Sequence, residues 1–218
     1  ELEHTYFATG SDCELPLHLY LSQGKGFAKH LRGMYAIAIH DIEAGQLVLS
    51  RDPFGIKPLY YCETEAGFAF ASEAQAILGA GLVTAKLNRA RRDELMQLQF
   101  TTGEQTAFQG IYRMRPGETL VVQGGKIVSR TRQEALPGAK RKHIDESEAL
   151  ANLDAALMDS VGVHQRSDVP YGMFFSGGID SSVLLAVMSR LNERPVKALT
   201  AGFSGTSAHD ERSHARSV

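Results

Sequence analysis

A chain of 218 residues with 43% hydrophobic content carries enough apolar material for one large domain or two small ones, which excludes disorder as its main description. Lys and Arg (23) nearly balance Asp and Glu (25), for a net charge of −2, so no overall field draws it to nucleic acid or anionic lipid and function must come from a local site. No apolar run approaches the roughly 18 to 20 residues that cross a bilayer, and the start lacks a basic segment followed by an apolar one. Cys13 and Cys62 are too few for a disulfide framework or a four-ligand zinc site. These features predict a cytoplasmic protein with no membrane partner. The opening without Met and the charged close, HDERSHARSV, read as an interior piece of something longer.

Ser11 and Glu14 have the spacing of a capping box, which predicts a helix running to about Gln23 with Leu15, His18 and Leu19 on one side. From Met34 the pattern alternates as MYAIAIHD, turns at Glu43–Gly45, alternates again as QLVLSRD and PLYYCE, turns near Gly67 and ends in FAFAS. This predicts an antiparallel meander, and the small and apolar residues on both faces predict a sheet covered on both sides. Helices are expected over 73–78 and 88–98, and TLVVQGGKIVSRT reads as a hairpin turning at Gly124 and Gly125. Around 136–146 Pro, Gly and basic residues replace apolar periodicity, as in an interdomain connection, with KRKH at 140–143 a solvated cluster. Leu150, Leu153, Leu157 and Val161 then predict an amphipathic helix opened near Asp145. YGMFF, SGGIDSS, VLLAVMSRLNE and VKALTAGF follow as strand, Gly-rich turn, helix and strand, a right-handed βαβ unit with a parallel sheet.

The turn carries the chemistry. Ser176, Gly177, Gly178, Asp180, Ser181 and Ser182 sit between an apolar strand and a helix start, where amides without intrahelical partners favour an anion. Two glycines let the backbone approach a pyrophosphate, and the hydroxyls can donate to it. Asp180 repels phosphate unless it caps the helix or meets Mg2+, so its presence points to nucleotide plus metal. A plain βα turn explains the glycines but not the set of hydroxyls. No Lys follows Gly178, so this is not a Walker A loop.

SGGIDSS resembles the pyrophosphate-binding loop of the adenylating N-type ATP pyrophosphatases. LRGMYAIAIHD, LVLSRDPFGIKPLYY, FASEAQAIL and SDVPYGMFFSGGIDSS, in this order, resemble the glutamine-hydrolysing asparagine synthetases nearly end to end. The resemblance implies a glutaminase portion over 1–136 and the beginning of a synthetase domain over 145–218. The implied fold is α+β with sandwiched antiparallel sheets, of N-terminal-nucleophile hydrolase type and incomplete, followed by the start of an α/β parallel-sheet nucleotide-binding domain. The implied substrates are glutamine, aspartate and ATP, with Mg2+ as cofactor and a homodimer as a possible assembly. Ammonia released from glutamine travels through a tunnel and displaces AMP from β-aspartyl-AMP.

Carried over residue by residue, Asp12 matches the acid that holds the α-amino group of glutamine, a plain N-cap being the alternative. Met34 matches a tunnel position, with ordinary core as the alternative. Phe174 and Ala201 match ATP contacts, and Ser176, Gly177, Gly178, Asp180, Ser181 and Ser182 match the pyrophosphate loop, with Asp180 toward the metal. Asp210 matches an acid near the synthetase site or a solvated charge, and Arg51 and Asp52 look structural, as an ion pair or a turn. The family's nucleophile, a Cys at the mature N-terminus whose own amine is the base, is absent. Cys13 cannot replace it, because its interior amide nitrogen is not basic. The expectation is therefore that these 218 residues alone neither hydrolyse glutamine nor make asparagine.

Three other readings stay open: a related enzyme with a different carboxylate acceptor, as in β-lactam synthetases; a phosphoribosylpyrophosphate amidotransferase, which SGGIDSS argues against; and a non-catalytic nucleotide-binding module. GKG at 24–26 and GAG at 79–81 lack the strand and acidic partner of a dinucleotide site, and the scattered histidines lack metal spacing.

Overall fold

The computed structural model describes residues 6–136, 138, 143–203 and 210–218. Lys140–Lys142 of the basic cluster lie outside them. The chain forms two compact units, Glu1–Ala139 and Lys140–Val218.

In the first unit, α1 spans Glu14–Gln23, but the expected capping box does not form. Cys13 occupies the N-cap without a side-chain bond, the Ser11 hydroxyl accepts from the Cys13 amide (3.2 Å), and the Glu14 carboxylate accepts the amides of Ala8 (3.2 Å) and Thr9 (2.9 Å). The acid thus folds the incoming segment onto the positive end of the helix. Gly24, at φ 58°, ends α1 and a 3-10 helix follows over Gly24–His30, so GKG is a helix junction.

β1 (Ala36–Asp41) and β2 (Gln46–Arg51) form one hairpin, and β3 (Tyr60–Thr64) and β4 (Gly67–Ala71) another. The meander expected from the alternation is broken between them. β2 pairs with β6 (Glu118–Gln123) in a sheet of order β1-β2-β6-β7, where β7 is Lys126–Arg132, while β3 joins a second sheet of order β4-β3-β5 with β5 at Tyr112–Arg113. The cause is the RDPFGIK segment. The fully buried Asp52 carboxylate accepts the amides of Phe54 (3.1 Å), Ile56 (2.9 Å) and Lys57 (2.9 Å), and Arg51 donates to the carbonyls of Lys57 (2.7 Å), Gly55 (2.6 Å) and Met114. Arg51 and Asp52 therefore hold a loop by bonding backbone groups; no ion pair between them is among the contacts of the described residues. At the β6–β7 turn both Gly124 (φ 57°) and Gly125 (φ 75°) adopt the left-handed conformation of a type I′ hairpin, as the sequence predicts.

Between the two antiparallel sheets Leu49, Leu59, Tyr61, Met114 and Leu120 are buried, and Tyr61 stacks with Phe68 and Tyr112. On the outer face of the larger sheet Ile39, Val48 and Val121 pack against Leu19, Phe27 and Ala28, so that sheet is covered on both sides. Cys62 and Ile111 on the other side meet Ile77 of α2 (Ala74–Gly79), and burial pushes the Cys62 thiol up, as suits an inert core residue. α3 spans Arg89–Leu98, with the Asn88 side chain accepting the Arg91 amide.

In the second unit α4 covers Glu146–His164 and α5 Ile179–Leu191, flanked by the parallel strands β8 (Gly172–Phe174) and β9 (Lys197–Leu199). Leu157 and Val161 of α4 pack with Val187 and Met188 of α5, but Leu150 and Leu153, expected on the same stripe, are exposed because this contact covers only the later turns of α4. Asp145 caps α4 by accepting the Glu148 amide at 2.8 Å, and this bond, with help from the Ser147 hydroxyl, holds its carboxyl below the usual range. Its contribution is complete above the ordinary carboxylate pKa and is lost as pH falls through the lowered one. Asp145→Ala is accordingly expected to speed hydrogen exchange at the Glu148 amide at neutral pH while leaving Val161 protected.

Candidate functional site

Two places collect the residues that the sequence singles out. The first is a cavity of about 390 Å3 in the first unit, lined by Asp12, Cys13, Met34, Tyr35, Lys57 and Ser72 among others. It lies where the start of α1 meets the entry to β1 and the end of the RDPFGIK loop. Asp12 precedes the N-cap residue, so the N-cap alternative fails. Met34 is 47% exposed and faces the cavity, so it is not ordinary core. The wall offers one carboxylate and one ammonium group, a set that suits a small zwitterion. Lys57 and Ser72 were not legible as site residues, because only the loop's return brings them to Asp12.

The second is the turn at Ser176–Ser182. Phe175 donates its amide to the Leu199 carbonyl (2.8 Å) and Thr200 its hydroxyl to the Phe175 carbonyl (2.7 Å), which fixes the chain as it leaves β8. Gly177 takes φ 79°, and Gly178 is the N-cap of α5 without a side-chain bond. A Cβ at Gly177 would stand 2.8 Å from the His214 ring and 3.1 Å from the Ala215 Cα, since α6 (Arg212–Ser217) lies against the turn. His214 also reaches the Gly177 carbonyl through Nε2 at 3.1 Å. This contact spans 37 residues, and no local pattern announces it.

The hydroxyls are ordered by one another. Ser176 and Ser181 lie 3.2 Å apart, Ser176 accepts the Gly178 amide (3.3 Å), and Ser181 (3.1 Å) and Ser182 (2.8 Å) both donate to the Gly178 carbonyl. Asp180, the second helical residue, is exposed, and its carboxylate makes no hydrogen bond or ion pair among the described residues. A charge so placed suits the helix dipole and is free to meet a cation. No group of three His, Cys, Asp or Glu side chains that could hold a metal occurs among the described residues. Phe174, 82% exposed, and Ala201 flank the turn at the ends of β8 and β9. Asp210 pairs with Arg212 (2.9 Å) at the start of α6.

Comparison with known proteins gives the family. Residues 1–133 match the glutamine amidotransferase domain, and residues 152–218 match the asparagine synthase domain. The chain belongs to the glutamine-hydrolysing asparagine synthetase family. It is 34% identical over 90% of its length to asparagine synthetase [glutamine-hydrolyzing] 1 of Bacillus subtilis, 32% identical over 88% to amidase chry2 of Gibberella zeae, and 29% identical over 96% to amidase chyE of Penicillium rubens. It spans about a third of the length of these relatives, 31%, 28% and 33% in turn. A solved B. subtilis glutamine phosphoribosylpyrophosphate amidotransferase aligns over 90% of this chain and 40% of its own, at 17% identity and a TM-score of 0.40, too low to bear on fold or function.

Proposed function

We propose that the protein containing this chain forms asparagine from aspartate, ATP and glutamine-derived ammonia, releasing AMP and pyrophosphate, and that the Ser176–Ser182 turn binds the pyrophosphate portion of ATP. The observation that carries this reading is the turn itself: Gly177 in the left-handed conformation, three hydroxyls arrayed about Gly178, and the amino end of a thirteen-residue helix behind them. Main-chain amides and the helix dipole stabilise the departing diphosphate, and the seryl hydroxyls can rotate from one another onto its oxygens.

The residues present fit Mg2+. A hard cation that keeps most of its shell as water and phosphate oxygen needs one or two carboxylates, and Asp180 stands uncommitted at the anion-binding helix end. When bound, the ion supplies neutralisation of phosphate charge. Phe174 and Ala201 would line the nucleotide, and Asp210 lies near this site through α6. In the first unit Asp12 would hold the α-ammonium of glutamine, Lys57 would face its carboxylate, and Met34 would stand on the ammonia route. Cys13 lines the same cavity, but its nitrogen is an amide, so it is not assigned as the nucleophile.

The test is aspartate-dependent release of AMP and pyrophosphate by the full-length protein. Asp180→Ala is expected to lower that rate by on the order of 100-fold or more with little change in glutamine hydrolysis; an unchanged rate removes the metal and phosphate role from Asp180. The amidase relatives favour a second reading, in which another carboxylate takes the place of aspartate. AMP release without asparagine formation, stimulated by a different acid, would select it.

A further inference from the structure

A cavity of about 980 Å3 in the first unit shares no lining residue with the one at Asp12, and nothing in the proposed reaction uses it. Five arginines line it, Arg51, Arg91, Arg113, Arg115 and Arg132, with Glu104 as the acid on the wall. Arg51 and Arg113 spend donors on carbonyls, Arg51 on Lys57, Gly55 and Met114 and Arg113 on Gly103 (3.0 Å) and Thr101, so neutral acceptors leave both charges in place. Burial and then the charge of Arg113 push the Arg51 guanidinium down, against the opposing pull of Asp52 and Tyr60.

The other three have acidic neighbours but incomplete ones. Arg91 pairs with Glu94 through Nη1 (2.7 Å), its Nε is buried without a hydrogen-bond acceptor among the described residues, and the side chain stays partly exposed at the cavity wall. Arg115 meets Glu104 at 3.1 Å, a carboxylate also within 3.8 Å of Arg130, and Arg132 meets Glu134 at 3.5 Å. The five guanidiniums thus have three carboxylates in direct ion pairs, Glu94, Glu104 and Glu134, with Asp52 acting on Arg51 as well, and the Arg115 and Arg132 pairs are half-exposed, where ion pairs are weak and partners exchange. Phe54 and Phe100 form exposed apolar parts of the wall.

We propose that this cavity binds a multiply charged oxyanion, a diphosphate or polyphosphate group, through Arg91, Arg115 and Arg132. Guanidinium forks match phosphate oxygens in pairs, and the volume suits a small molecule. The inference is independent of the turn at Ser176, since every residue it uses lies in the first unit.

The chain has no tryptophan, so Phe100→Trp places a single reporter on the cavity wall. Titration of the 218-residue Phe100→Trp protein with inorganic pyrophosphate is expected to give a saturable fluorescence change, with a midpoint that rises as KCl is added. Adding Arg115→Gln and Arg132→Gln should raise the midpoint about tenfold or more at unchanged circular dichroism. ATP with the pyrophosphate midpoint supports recognition of the phosphate chain alone, and tighter ATP supports an added ring contact at Phe54. No saturable change, a midpoint indifferent to salt, or a midpoint unmoved in the folded double variant overturns the proposal. Where the double variant fails to fold, Arg132→Gln alone is expected to raise the midpoint several-fold, and an unmoved midpoint in that folded single variant overturns the proposal.

Discussion

Asp52→Ala is expected to destabilise the first unit by about 3 to 5 kcal/mol, read as a lower denaturation midpoint with the slope unchanged. The carboxylate is fully buried and is the acceptor for three loop amides, those of Phe54, Ile56 and Lys57. Alanine leaves these donors with no partner, and removing a charged acceptor costs roughly 1.5 to 3 kcal/mol per bond, less where water reaches the amide. The same residue binds through its backbone carbonyl to the Gly55 and Gly117 amides at 2.9 and 2.8 Å, so a loosened loop also disturbs the entry to β6. Asp52→Asn should cost less, because one oxygen survives to serve Phe54 and Ile56, which share Oδ1. A loss below about 1 kcal/mol for Asp52→Ala would show that the loop is held by packing and by Arg51 alone.

Gly177→Val is expected to abolish nucleotide binding by the second unit and to expose α6 to hydrogen exchange, with the first unit unaffected. A β-branched residue at φ 79° is strained by roughly 1 to 3 kcal/mol before any contact is counted. Its Cβ would also press on the His214 ring at 2.8 Å and on the backbone of the buried Ala215 at 3.1 and 3.2 Å. Either α6 leaves the turn or the turn opens, and in both cases the geometry proposed for holding phosphate is lost. His214→Ala in the same chain relieves the ring contact but not the backbone strain, so it should restore packing in part and binding hardly at all. Nucleotide binding at the original affinity by Gly177→Val would remove this turn from the site.

The two variants probe different kinds of information. Local chemistry was readable in the chain: Asp145 caps its helix because a short polar side chain reaches the amide three residues on, and paired glycines at 124 and 125 close a hairpin because both must adopt positive φ. The strand, Gly-rich turn and helix around Ser176 likewise follow from neighbours in sequence, as the parallel pairing of β8 and β9 bears out. The proposed roles of the turn's residues go beyond this and await the tests above.

Tertiary structure decided what depends on distant partners. Alternation sets which face a strand buries but not which strand it meets, so the choice of β6 over β3 as the neighbour of β2 came from the Asp52 loop. Periodicity likewise marked Leu150 and Leu153 as apolar without knowing where α5 ends its contact with α4. The gathering of Asp12, Met34 and Lys57 about one cavity, and of five arginines about another, has no sequence signal because the residues come from separate segments. Side-chain type and spacing act within a few residues through backbone bonds, whereas pairing and cavities are set by the least costly burial of the whole apolar surface, a quantity that no single segment contains.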